Sequence, residues 1–527
     1  MFDLILRGGT VLDGTGAAAF ASDVAIENGR IAAVGHLPHA DARRTVDCTG
    51  LTVTPGFIDI HRHADGAAFR PDFGRWELCQ GLTTIVNGNC GLSAAPFGGV
   101  HAAAIRAYLQ PITGTLPPEL VSDTMEGYFR SLPPLPLNMG MLVGAGTLRT
   151  DAAGYELPAL EEGHFSTIHR AMERALGDGA LGVSLGLGYA PECFYTTDEL
   201  IRALQPVAGT DIPVTVHMRQ EGGGVVESVQ EMLAVARALG CPVHISHLKA
   251  MGRANWGKNI PQVLSLLEQA QREGLRVDCD VYPYTAGSTQ LLHILPPDFL
   301  TGGMEAVVER LRDKAARREL AARIESGAGF DDIAKLAGWD GIYLTSLHCP
   351  EDHPYLGKNL MEIAAEMGQD PLSACCELLC REHGQITMID FMASEEDICA
   401  ILRSPLSCVI SDATYPTEGQ LHPRVCGNVT HLLEHFVREK GALSMEEAVH
   451  KLTGRSAAVL GLSGKGRIAA GYDADVCVFD PAALHEQATY TAPRQPSLGM
   501  THVLVGGAFA IRDGVLTGAK NGAVLRR

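Results

Sequence analysis

No apolar run in this chain approaches the roughly 18 residues that a membrane-spanning helix requires. The opening stretch, MFDLILRGGTVLDGTG, lacks the basic start and unbroken greasy core of an export signal, because Asp3 and Arg7 interrupt it. Cations are also scarce: 42 Lys and Arg stand against 61 Asp and Glu, a formal charge of -19, and no basic run breaks the acidic balance. A nucleic-acid partner and an anionic membrane surface are thereby disfavoured, since both rest on clustered cationic side chains. The 14 cysteines form no CxxC pair and no regular framework, and most sit inside apolar stretches such as PLSCVI and ADVCVF. They read as buried, reduced thiols of a soluble cytoplasmic protein. There is no fixed-period repeat and no low-complexity tract, and SGKGR near residue 465 lacks the spacing of a phosphate loop.

What is present is a chain of 527 residues, too long for one simple core, with an ordinary globular hydrophobic content of 46%. Its first fifty residues alternate and turn like a small sheet, with an Asn28-Gly29 hairpin signal, and the last sixty do the same. The two ends predict one β-sandwich, residues 1–53 and 466–527. Between them, short apolar strands alternate with segments whose apolar residues recur every three or four positions. The strands are GFIDIHRH, LTTIVNGN, NMGMLVGAG, ALGVSLGLG, PVTVHMR, PVHISHLK, RVDCDVYPY and LSCVISDAT. Eight strands with helices between them predict an α/β fold, a (β/α)8 TIM-like barrel over residues 54–465. A charged helical stretch breaks the rhythm and predicts an insertion on a barrel loop at about 287–343, near the mouth of the site.

Strand residues i and i+2 share a face, so His61 and His63 in GFIDIHRH project together while Arg62 turns away. At the C-terminal end of a barrel strand that face opens on the active-site rim. Other apolar runs end similarly: Cys90 after LTTIVNGN, His217 after PVTV, His247 after PVHIS and Asp412 after LSCVIS. Taken singly, each has an ordinary use as a buried thiol, a hydrogen-bonded core histidine or a helix cap. Jointly they are a thiolate and imidazoles of the kind zinc prefers, with a carboxylate to take a proton from water. His244, turned from the face of His247 by strand alternation, reads as structural.

The motifs PGFIDIHRHAD, GLTTIVNGNCG, DGALGVSLGLGY, HMRQEGGGVVES, ISHLK, SDATYP, HPRVCGN and GRIAAGYDADVCVFDP run in the order found in the amidohydrolase superfamily. They resemble its D-aminoacylases, the N-acyl-D-amino-acid deacylases, over nearly the whole chain. The resemblance implies one tightly bound Zn2+ on Cys90, His217 and His247, and a second, weaker position lined by His61, His63 and Asp412. It implies Asp412 as the catalytic base, and Arg424 as the arginine that grips the substrate carboxylate, with Lys249 and Tyr282 as helpers. Three places depart from the family pattern: Ala413 follows the aspartate in place of Gly, His61-Arg62-His63-Ala64-Asp65 replaces an HTHDD-like run, and HPRVCGN lacks an aromatic after the arginine. These bear on substrate preference more than on chemistry.

The resulting expectation is zinc-dependent hydrolysis of N-acyl-D-amino acids, with the D preference carried by resemblance alone. A dipeptidase for L-Xaa-D-Xaa substrates and a hydantoinase-like or dihydropyrimidinase-like cyclic amidase remain open alternatives. A catalytically silent scaffold would have lost ligands that this chain keeps. The expected partner is a small-molecule substrate, and a homo-oligomer is left open.

Overall fold

The computed structural model describes residues 1–326 and 329–527. Both chain ends meet in one nine-stranded sheet. Phe2–Val11, Phe20–Glu27, Arg30–Gly35, Ala42–Asp47 and Thr52–Pro55 come from the beginning, and Val476–Phe479, Met500–Val505, Ala508–Arg512 and Val515–Leu516 from the end. Thr52–Pro55 pairs antiparallel with Val476–Phe479, so the two halves are joined by direct hydrogen bonding. One face of this sheet buries its own small core, in which Leu6, Val24 and Ile26 meet Val476, Val478 and Leu504. The Asn28-Gly29 turn has positive φ at both residues, 52° and 74°, the tight hairpin expected from its sequence.

Eight core strands follow: β1 (Phe57–Asp59), β2 (Leu82–Asn87), β3 (Asn138–Met141, continued by Val143–Gly144), β4 (Val183–Gly186), β5 (Val214–His217), β6 (Val243–Ile245), β7 (Val277–Val281) and β8 (Ser407–Val409). All pair in parallel, β1 to β2 to β3 and then β3 through β8 in chain order. They read as apolar runs because parallel strands are covered on both faces. The exits of β8 and β1 also meet: the Asp412 amide donates to the His61 carbonyl at 2.9 Å and the His63 amide to the Ala413 carbonyl at 3.0 Å.

Helices cover the strands with single apolar stripes. Val225–Leu239 buries Val225, Val229, Met232, Leu233 and Ala236 at helical spacing, then stops at Gly240 in the left-handed region. One hydrophobic cluster packs such helices onto β4, β5 and β6, and another brings Ile58, Val86, Leu142 and Cys408 of β1, β2, β3 and β8 together. No helix among the described residues is long and apolar enough to cross a membrane.

Two features differ from the sequence reading. The excursion between β7 and β8 is longer than 287–343: its three-stranded sheet joins Ala286–Gln290, Thr387–Phe391 and Ile342–Ser346. Residues 327–328 of the expected insertion lie outside the described residues. The onset is marked by a break in rhythm, whereas the later strands and helices have the same amphipathic look as the core units. The chain end also leaves the terminal sheet: Met139 of β3 donates to the Ala523 carbonyl at 2.9 Å, and Leu525 donates back to Met139 at 2.8 Å.

Candidate metal centre

The C-terminal ends of the core strands deliver their polar residues to one rim. Sharp exits make this possible. Cys90, His247 and Asp412 all take left-handed backbone, with φ of 53°, 37° and 51°, which turns each side chain off its strand axis. The loop after β2 is fixed by Asn89, whose amide donates to the Ile60 and Val86 carbonyls, and by Asn87, which accepts the Ala64 amide at 2.9 Å.

His61, Cys90, His247 and Asp412 form a cluster whose donor atoms all lie within 4.8 Å of one another. Cys90 Sγ is 3.2 Å from His61 Nε2 and 3.5 Å from His247 Nε2. His217 joins from the side, with Nδ1 3.0 Å from His247 Nε2, and shares a second cluster with Glu221 and His247. His63 reaches Asp412 Oδ1 at 3.2 Å without entering the four-residue group. All six residues expected at a metal centre thus stand on one rim. His61, at 3.2 Å from Cys90, falls in the four-residue group with it, and His217 falls in the neighbouring group through the shared His247.

Carboxylates absent from the sequence reading orient the rings. Glu221 Oε1 meets His247 Nδ1 at 2.9 Å and its Oε2 pairs with Lys249 Nζ at 2.7 Å. Asp280 lies 3.8 Å from His61 Nδ1 and 2.7 Å from His244 Nε2, while His244 Nδ1 meets Asp278 at 2.5 Å. His244 therefore stands behind the site. Burial disfavours the charge on Glu221, but Lys249 and the neighbouring histidines hold its carboxyl far below the usual range. Glu221 lies four residues after His217, and Asp280 lies inside β7 with no histidine near it in sequence. Arg62, turned away as alternation requires, is wholly buried on Asp59, Glu77 and Tyr415.

The donor set fits a borderline-soft cation such as zinc: sulfur, imidazole nitrogen and carboxylate oxygen. Burial, aided by the Asp412 and Glu221 charges, pushes the Cys90 thiol well above its ordinary pKa. A cation at the cluster is what would convert it to thiolate. Burial likewise pushes His63 down to about 4 and His217 lower still, leaving both as neutral rings, the form that ligates. His61 and His63 each keep an Nδ1 with no hydrogen-bond partner.

Beside the cluster, Arg424 Nη2 pairs with Asp412 Oδ2 at 3.0 Å, and its Nε and Nη1 have no hydrogen-bond partner although the residue is fully buried. Tyr282 lies against two cations, with Arg424 Cζ 4.8 Å and Lys249 Nζ 5.9 Å from its ring centre. Burial opposes charge on Asp412, yet the Arg424 guanidinium and the His63 hydrogen bond hold its carboxyl well below the usual range.

The family model for the amidohydrolase family matches residues 44–269 and 384–511. The D-aminoacylase of Alcaligenes xylosoxydans xylosoxydans is 33% identical over 526 residues, covering 100% of this chain and 98% of the relative. The N-acyl-D-glutamate deacylase of the same organism is 35% identical over 535 residues, covering 100% and 96%. Among solved structures, the N-acyl-D-glutamate deacylase from Bordetella bronchiseptica, complexed with zinc and a phosphonate mimic of the tetrahedral intermediate, superposes with a TM-score of 0.83. It is 31% identical, with 100% of both chains covered. The chain belongs to the amidohydrolase family and, within it, to the D-aminoacylases.

Proposed function

We propose that this chain is a zinc-dependent N-acyl-D-amino-acid deacylase, releasing a carboxylate and a free D-amino acid. The observation that carries the reading is the Cys90, His61, His247 and Asp412 cluster set beside a buried arginine with unpartnered N–H groups. Cys90, His217 and His247 would hold one zinc tightly, with His61, His63 and Asp412 lining a weaker second position. When bound, zinc supplies a water whose pKa falls towards about 7 and a Lewis acid for the amide carbonyl. Asp412, kept ionised by Arg424, accepts the proton of the attacking water and delivers it to the departing nitrogen. Arg424 grips the substrate carboxylate through its unpartnered N–H groups, with Lys249 and Tyr282 beside it. Orientation of the carbonyl falls to His61 or His63.

The architecture we assign is a closed (β/α)8 barrel over residues 54–465 with a β-sandwich from residues 1–53 and 466–527. Its support is the parallel order of β1 to β8, the contact of the β8 and β1 exits, and the separate small core of the terminal sheet. The partner is a small-molecule amide, and the formal charge of -19 disfavours a nucleic acid. Free, mostly buried cysteines fit a reducing cytoplasm.

Amine release by the zinc-loaded protein from matched N-acetyl-D- and N-acetyl-L-amino acids tests the reading. Turnover of D-substrates with little or none of the L-series is expected. Silence on both, with hydrolysis of L-Xaa-D-Xaa dipeptides or of hydantoins, would overturn it.

A further inference from the structure

The excursion between β7 and β8 carries its own group of metal-ligating side chains, away from the rim. Cys349, Asp352 and Glu382 each bring one donor atom, a sulfur and two carboxylate oxygens, and all three atoms lie within 4.8 Å of one another. None of these residues lines the cleft at the metal cluster, whose walls include His217, His247 and Asp412. The fold brings them together from separate places. Cys349 follows the strand Ile342–Ser346, Asp352 sits in the short 3-10 turn Pro350–Tyr355, and Glu382 closes the helix Pro371–Arg381. A further group, His244, Asp280 and Cys408, has both imidazole nitrogens taken by carboxylates and so no position to offer an ion.

Two acids meeting in a protein interior need a counterpart. Asp352 is 0% exposed and Glu382 4%. Glu382 is held by the backbone: its Oε2 accepts the His348 amide at 2.7 Å and its Oε1 the Cys349 amide at 3.0 Å, which leaves lone pairs on both oxygens. Asp352 differs, because neither of its oxygens has a hydrogen-bond partner. Its ion pair with Arg381, Nη2 to Oδ1 at 2.8 Å, is not aligned as a hydrogen bond and leaves Oδ2 unpartnered. A buried carboxylate in that condition costs free energy until a proton or a cation satisfies it. Burial pushes the Asp352 carboxyl up to about 6, with the facing Glu382 adding to the shift and Arg381 opposing it.

The third donor favours a cation over a proton. A shared proton would satisfy the two acids alone, whereas Cys349 Sγ at the same point adds the ligand that borderline-soft ions prefer. With the thiol ionised, three anions stand against the Arg381 guanidinium, a deficit that one divalent ion closes. Cys349 is only half-buried, which opens the group to solvent on its side and gives an ion a way in. We infer that Cys349, Asp352 and Glu382 form a separate site for a divalent cation of the zinc class, with water or the Arg381 carbonyl, 3.5 Å from Cys349 Sγ, completing the shell. An ion there fastens the loop after the strand, the turn and the helix end to one another, and so braces the excursion.

Cadmium reads the site directly, because a thiolate bound to it absorbs in the ultraviolet. The full-length, zinc-loaded protein is titrated with Cd2+ beside its Cys349→Ser and Asp352→Asn variants, so that whatever the rim takes up is common to all three. The native chain is expected to bind one more ion than Cys349→Ser, with a thiolate absorption that the serine variant loses. Asp352→Asn is expected to bind that ion at least about tenfold more weakly, since even a group that only orients a ligand is worth that much. Equal uptake and equal absorption in all three would overturn the site. Alkylation needs no variant: Cd2+ is expected to shield Cys349 of the native protein from iodoacetamide, read on its peptide by mass spectrometry. Labelling of Cys349 at the same rate with and without Cd2+ would overturn the site as well.

Discussion

Glu221, four residues beyond His217 in HMRQEGGG, touches His247 and Lys249 at once. A carboxylate on the far nitrogen of a ligating imidazole fixes its tautomer and raises its basicity. Glu221→Gln is expected to weaken zinc retention about 10- to 100-fold in a chelator competition, and to destabilise the metal-free protein as well, because buried Lys249 loses its carboxylate partner. Equal retention would take Glu221 out of the metal centre. His61, His63, Cys90, His217, His247 and Asp412 were legible because each ends an apolar run. Glu221 and Asp280 were not, because an orienting carboxylate needs no fixed spacing from the ring it meets. Arg424 was legible only through its motif, and its two unpartnered nitrogens are a property of the folded chain.

The elements that aim the ligands are their strand exits, and these carry the strain. At the β2 exit, Gly91 has φ of 74°, and a Cβ there would come within 1.8 Å of Glu192 Oε2. Gly91→Ala is expected to cost about 2–5 kcal/mol in urea unfolding, from left-handed strain and overpacking. A loss below about 1 kcal/mol would show that Glu192 moves aside. Glu192 itself, in the loop after β4, accepts the Gly186 amide at 2.9 Å and keeps an unpartnered Oε1. Burial raises its pKa from an ordinary 4.5 to about 8. Between those values the folded protein retains a proton that the unfolded chain releases, so stability falls as pH rises, by up to about 1.4 kcal/mol per pH unit. Glu192→Gln removes that slope: the variant should gain on its parent from pH 5 to pH 8, and parallel curves would assign the slope elsewhere. The eight core strands were readable from apolar runs and turns. The far end of the excursion was not, since Ile342–Ser346 and Thr387–Phe391 look like core strands and differ only in antiparallel partners.

Across the whole molecule, the rim gathers candidate ligands from β1, β2, β5, β6 and β8, so a metal bound there would tie most of the core together. Removing it with a chelator is expected to lower Tm by about 3–8 °C, with recovery on adding zinc. A Tm unmoved by zinc loss would mean that the cluster is held by packing alone. That the two ends form complementary halves was readable from their shared turn-rich alternation. Their direct joining was not, because the register of Val53 with Val478 leaves no local trace.

That joining has a consequence in time. Synthesis runs from the first end to the last, at about 5–20 residues per second. The strand at Thr52–Pro55 leaves the ribosome about 420 residues before its partner at Val476–Phe479 exists, an interval of roughly 20–80 s. Throughout that interval the nascent chain offers an open strand edge, the feature that invites mispairing with other chains. Keeping that edge from other chains until its partner strand is made is a demand that the two-ended sheet places on synthesis.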